Sequence, residues 1–181
     1  GLFVLDCIAS GTIWVDMEAC AVDVLISAPQ KGWSSSPCSG LVMLSALARE
    51  RIEATTSTSF ACDLLKWLQI MEAYENGGHA YHATMPTDTL KGFRDVMKET
   101  EAYGFDKLCA KQQELGNKVR ALLVSKGLQS VAAEGFQAPG VVVSYTDDID
   151  IHKGTKFLQV GLQIAAGIPL RCDEPEGFQT F

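Results

Sequence analysis

The chain opens on two short apolar runs, Leu2-Phe3-Val4-Leu5 and Val22-Asp23-Val24-Leu25-Ile26, too short for helices and rich enough in branched residues for buried strands. The residues from Cys7 to Ala21 are long enough for a crossover between parallel strands, and Trp14 to Ala21 reads as compact and mildly helical. A loop of small and polar residues, Gly32 to Gly40, precedes a third apolar run, Leu41 to Ser45, the next expected strand. Ala46 to Ile52 then reads as one or two helical turns. Phe60, Leu64, Leu68 and Met71 recur at helical spacing, stopped by Asn76-Gly77-Gly78.

Beyond the polar loop His79 to Pro86, Leu90, Phe93, Met97 and Tyr103 predict a long helix that Gly104 breaks. A second helix from Asp106 carries Leu108, Leu115, Val119 and Leu122, with Gly127 as its C-cap. Leu128 to Glu134 and Gly140 to Tyr145 read as strands around a Gly/Pro turn. Ile151 to Ala166 reads as a helix with Phe157, Val160 and Ile164 inward, and Ile168 to Cys172 as a strand before the turn 173–177. The pattern predicts an α/β chain: the end of a mostly parallel sheet domain over residues 1–85, then a small α+β unit over 86–181.

Composition narrows the partners. At 181 residues, 47% hydrophobic and 20% charged, the chain can fill a core. Its net charge of −7, with no basic patch, argues against nucleic acid and anionic membrane as main partners. No apolar run is long enough to cross a bilayer, and the first residues do not read as a signal peptide. The six cysteines are scattered, without a CxxC pair or a histidine at metal-ligand spacing. The expectation is reduced thiols in a cytoplasmic protein with no metal. Both ends look cut through structure, so the chain is expected to be a segment of a longer protein.

The candidate chemistry lies at the ends of the first two strands. If these are parallel, Asp6 and Lys31 share the carboxyl-terminal edge, where open α/β sheets bind ligands. A lone lysine after a strand is ordinarily a solvated charge, and Asp6 alone could cap the crossover. Ser27-Ala28-Pro29-Gln30 gives Lys31 a rigid approach, and Gly32 lets another backbone come close. A lysine and an aspartate so placed suit pyridoxal phosphate: the amine forms a Schiff base with the aldehyde, and the carboxylate keeps the pyridine nitrogen protonated. Such a lysine needs a fixed, partly desolvated position.

Leu5-Asp6-Cys7-Ile8-Ala9-Ser10, Asp23-Val24-Leu25 and Ser27-Ala28-Pro29-Gln30-Lys31, followed by Tyr81-His82-Ala83-Thr84-Met85-Pro86, resemble the class V aminotransferases of fold type I. Within these, the alanine–glyoxylate and serine–pyruvate branch is most similar, and the resemblance covers the chain as the latter half of such an enzyme. It implies that Lys31 is the Schiff-base lysine and proton shuttle, that Asp6 pairs with the pyridinium nitrogen, and that Ile8 packs on the ring. Gln30 would donate to the phosphate or to the cofactor's polar edge. Tyr81 and Thr84 would reach the phosphate of the neighbouring subunit's cofactor, in a homodimer with shared active sites; an ordinary interface loop is the alternative. His82 reads as a structural histidine.

The resemblance also implies parts absent from this chain: a glycine-rich phosphate loop, a ring-stacking aromatic residue, and a substrate-carboxylate arginine expected just beyond Phe181. Arg171 lies too early for that role. The implied reaction is ping-pong transfer of an amino group from an alanine- or serine-type donor to a glyoxylate- or pyruvate-type acceptor. Alternatives on the same scaffold are a lyase or cysteine desulfurase, with Cys172 the nearest candidate nucleophile, and a non-catalytic fragment serving assembly.

Overall fold

The two opening runs form neighbouring parallel strands. β1 (Val4–Asp6) pairs with β2 (Val24–Ser27) in the register Val4↔Val24, Leu5↔Leu25, Asp6↔Ile26. β3 (Leu41–Leu44) pairs antiparallel to β2, from Val24↔Leu44 to Ser27↔Leu41, so the three-stranded sheet is mixed, in the order β1-β2-β3. This α/β arrangement comes from a computed structural model that describes residues 1–167 and 179–181. By contact density the chain divides into two units, Gly1–Phe105 and Asp106–Phe181.

In the first unit, Cys7, Val22 and Leu25 are buried together, with Leu5, Val15 and Met17 packed around them. The crossover is built of turns and not of the mildly helical stretch expected over Trp14 to Ala21. Asp16 accepts from the Ala19 amide at 3.0 Å, which starts one turn, and Ala21 at φ 52° ends it. Asp23 ties three segments together: its two carboxylate oxygens accept from the Phe3 amide at 2.8 Å and the Ser45 hydroxyl at 3.0 Å. Ser45 in turn accepts from the Ala48 amide and so caps α1 (Ala46–Glu53).

α2 (Leu64–Glu75) begins later than the apolar spacing suggests, because Asp63 takes the N-cap and accepts from the Lys66 amide at 3.0 Å. Phe60 therefore lies outside the helix. Arg49 of α1 pairs with Glu72 of α2. α3 (Thr87–Tyr103) ends where expected, at Gly104, whose φ of 103° few side chains tolerate. Its buried Phe93 meets Trp33 edge-on at 5.7 Å, and Trp33 also packs against Trp14 and Phe105.

The second unit is built on α4 (Phe105–Ser125). Gly127, at φ 86°, closes the helix as expected, its amide donating to Val124. The inward face differs from the apolar spacing. Leu115, Val119 and Leu122 are exposed, whereas Gly116 and Arg120 are buried. The reason is a backbone contact: a Cβ on Gly116 would stand 2.4 Å from the Pro139 carbonyl oxygen, so the 138–141 segment lies directly on the helix.

Leu128 to Glu134 and Gly140 to Tyr145 do not form the two expected strands. They meet through one antiparallel bridge, Ser130↔Ser144, and Tyr145 bridges to Thr180. The helix expected over Ile151 to Ala166 is interrupted for a conformational reason. Gly154 and Gly161 adopt φ 75° and 79°, leaving α5 (Ile149–His152) and α6 (Thr155–Gln159). Val160 is exposed, while Phe157 packs on Phe181 at 5.6 Å. The strand and turn expected over 168–177, with Arg171 and Cys172, lie outside the described residues.

Candidate functional site

Parallel pairing fixes the geometry of the site. With β1 and β2 running the same way, both carboxyl ends lie on one edge, and Asp6 is the last residue of β1. The Cys7 amide donates to the Ile26 carbonyl at 2.7 Å, carrying the pairing one residue past Asp6. One Asp6 carboxylate oxygen accepts from the Ile8 amide at 2.9 Å, an Asx turn that sends the chain away from the edge. Asp6 thus does act as a cap, though of a turn. Its second oxygen has no hydrogen-bond partner among the described residues, and the side chain is exposed. Ile8 is half-buried beside it.

Below Asp6, Cys7 is buried, and its thiol is pushed above the ordinary cysteine range, first by burial and then by the Asp6 charge. It stays protonated at neutral pH and packs as a small apolar group.

After β2, Ala28 and Pro29 are buried and root the turn that presents Gln30 and Lys31 outward. The Pro29 carbonyl accepts from the Ser35 amide and the Lys31 carbonyl from the Ser34 amide, both at 3.0 Å. Lys31 is exposed and makes no ion pair among the described residues. The partial desolvation expected for it is not provided by the described residues, which leave its side chain exposed.

Gly32 joins the two loops. A Cβ there would lie 1.8 Å from the Gly11 carbonyl oxygen, so the loop after Lys31 and the loop after Asp6 touch backbone to backbone. Trp33 braces the contact from the next position, its ring 5.0 Å from that of Trp14, whose Nε1–H donates to the Phe105 carbonyl at 3.1 Å. Nothing in the hydrophobic pattern assigns Trp33 this role. Its signal was a single large aromatic residue in an otherwise small, polar loop.

Tyr81 and Thr84 form a separate pair. The Tyr81 hydroxyl lies 2.9 Å from the Thr84 hydroxyl, and Tyr81 is 77% exposed. Among the described residues neither bonds to Asp6, Gln30 or Lys31. Asp6 ends β1 and Gln30 and Lys31 follow β2 on the same edge of the parallel pair, with their loops in contact at Gly11 and Gly32; the Tyr81–Thr84 pair makes no hydrogen bond to them among the described residues. Among the described residues no cluster of His, Cys, Asp and Glu is set to hold a metal, and no helix is long and apolar enough to cross a membrane.

No family model matches the chain. It is 29% identical over 133 residues to the alanine–glyoxylate aminotransferase of Felis catus, covering 71% of this chain and 31% of that protein. It is 24% identical over 165 residues to the soluble hydrogenase small subunit of a Synechococcus strain, covering 91% of this chain and 42% of the relative. Among solved structures, the alanine–glyoxylate aminotransferase of Nostoc sp. superposes with a TM-score of 0.80 at 20% identity, over 99% of this chain and 47% of that one. The chain thus spans less than half the length of each of these relatives. Its fold is that of the carboxyl-terminal part of aminotransferase structures, in keeping with the resemblance to class V aminotransferases carried by the motifs. The two curated relatives bear names for different chemistries, so the choice of activity rests on the residues at the sheet edge.

Proposed function

We propose that the protein containing this chain is a pyridoxal-phosphate-dependent aminotransferase. It moves an amino group from an alanine- or serine-type donor to a glyoxylate- or pyruvate-type acceptor. The observation that supports the reading is the parallel pairing of β1 and β2, which puts the loops carrying Asp6 and Lys31 on one sheet edge, in backbone contact at Gly11 and Gly32. The donor set fits the cofactor: among the described residues, an amine without an ion pair and a carboxylate oxygen left uncommitted, with an amide at Gln30 and an apolar side chain at Ile8.

When bound, pyridoxal phosphate supplies an aldehyde that accepts the amino group and a ring that draws electrons from the substrate's Cα. Lys31 would hold it through its amine and would serve as the base that moves a proton at the substrate's Cα. Asp6, one oxygen held by the Ile8 amide, would keep the ring nitrogen protonated with its other oxygen. Gln30 would donate to a polar group of the cofactor, and Ile8 would supply an apolar contact for its ring. Tyr81 and Thr84 offer their paired hydroxyls to the phosphate held by the neighbouring subunit of a homodimer.

In this reading residues 1–85 end the large cofactor-binding domain and 86–181 belong to the small domain. The contact division at Phe105 groups α3 with the first unit through Phe93 and Trp33. Free thiols at Cys7, Cys20, Cys38, Cys62 and Cys109 support a reducing compartment such as the cytoplasm.

The test is amino transfer by the purified full-length protein, offered alanine or serine with glyoxylate or pyruvate. The expected result is product formation with parallel double-reciprocal lines, and visible cofactor absorbance that Lys31→Ala removes. Failure of every donor–acceptor pair, or unchanged absorbance in the variant, would contradict the proposal.

A further inference from the structure

His82 lies between the two hydroxyl-bearing residues of the exposed loop and has contacts that neither of them shares. Its Nε2 is 3.0 Å from the Phe60 carbonyl oxygen. A carbonyl oxygen only accepts, so Nε2 carries the proton and donates. The imidazole also lies against the Phe60 ring at a centroid distance of 4.2 Å and meets the Trp67 ring edge-on at 5.1 Å. Trp67 is itself fixed, its Nε1–H donating to the Ala61 carbonyl at 2.8 Å. His82 is half-buried, whereas Tyr81 and Thr84 on either side of it are exposed.

We infer that His82 is a positioning residue for an anion-binding pair. Its hydrogen bond and ring contacts anchor the loop to the segment before α2, so that the Tyr81 and Thr84 hydroxyls, 2.9 Å apart, are presented together to a phosphate. The inference rests on the proposal that these hydroxyls serve the cofactor's phosphate. It adds that their placement depends on the proton donated by Nε2. Without that anchor the loop must be ordered at the moment of binding, which weakens phosphate binding while leaving the sheet-edge residues untouched.

The test compares binding of pyridoxal phosphate with binding of pyridoxal, which lacks the phosphate, to the full-length protein by absorbance titration. The readout is the ratio of the two affinities and does not depend on turnover. His82→Phe keeps an aromatic ring but removes the donor. It is expected to lower the phosphate preference by up to about tenfold, the upper worth of one neutral hydrogen bond, with pyridoxal affinity unchanged. His82→Gln, whose amide reaches the same carbonyl, is expected to restore most of the preference.

An unchanged ratio in His82→Phe overturns the inference, as does an equal loss of affinity for both ligands, which marks a general structural defect. Tyr81→Phe and Thr84→Ala separate the two levels. If they lower the ratio and His82→Phe does not, only the positioning role fails. If they too leave it unchanged, the phosphate-binding role of the loop fails with it.

Discussion

Gly32 and Gly116 are each pressed against a backbone carbonyl, so that an added Cβ would stand 1.8 Å from the Gly11 oxygen and 2.4 Å from the Pro139 oxygen, yet the two regions use the contact differently. Around Gly116 the side chains of Gln112 and Arg120 are turned inward, and each donates to the segment laid on the helix. Gln112 donates to the Pro139 carbonyl at 3.0 Å and Arg120 to the Ala138 carbonyl at 2.9 Å, so one stripe of α4 clasps the 138–141 segment. Around Gly32 the contact joins two loops whose polar side chains, Asp6, Gln30 and Lys31, remain exposed. A close glycine contact that consumes its polar neighbours builds structure. One that leaves them unspent, at the edge of a parallel pair, leaves them available to a ligand.

The largest effect should come from Gly32→Ala. The colliding atom is backbone, so the loops must part. Cofactor absorbance in the full-length protein should be lost, with a stability loss of about 1–3 kcal/mol by urea unfolding. Normal absorbance would mean that the Gly11–Gly32 contact does not set the site. Gly116→Ala should bring a similar destabilisation, about 1–3 kcal/mol, but leave cofactor absorbance intact. Loss of absorbance there would erase the contrast between the two regions.

Arg120→Met should matter less than its burial suggests. The substitution removes the bonds to Ala138 and Val141, but it also removes Nε and Nη1, which are buried without a hydrogen-bond partner among the described residues. The two effects oppose each other, and a net change below about 1 kcal/mol is expected in the same unfolding assay. The smallest effect belongs to Glu114→Gln. Hydrogen bonds from Lys118 and then Lys111 hold the Glu114 carboxyl down at about 2. A depressed folded-state value contributes stability above the ordinary glutamate range and loses it as pH falls through 2. The group is fully exposed, so the wild-type and variant unfolding midpoints should nearly coincide at neutral pH, any gap closing by pH 2.

The sheet edge was legible because it depends on strand direction and on residues adjacent in sequence: two short apolar runs, the crossover length, and Asp6 and Lys31 at their ends. The Ser27–Lys31 approach could be read for the same reason, since Pro29 and Ala28 root the turn locally. What the pattern misled on was α4. Leu115, Val119 and Leu122 have a core-facing spacing, but the buried side is decided by a tertiary contact at Gly116 that leaves no periodic trace. The split of the 151–166 helix could have been taken from Gly154 and Gly161, whose positive φ outweighs the apolar spacing around them. His82 reads in the sequence as a structural histidine, but its partners at Phe60 and Trp67 could not be named, because they are distant in sequence.

The central claim, that Lys31 is the amine that holds the cofactor, is tested most directly by borohydride reduction of the cofactor-loaded full-length protein, followed by mass spectrometry of its peptides. The expected result is a single pyridoxyl adduct on the peptide containing Lys31. An adduct on another lysine, with Lys31 unmodified, would contradict it.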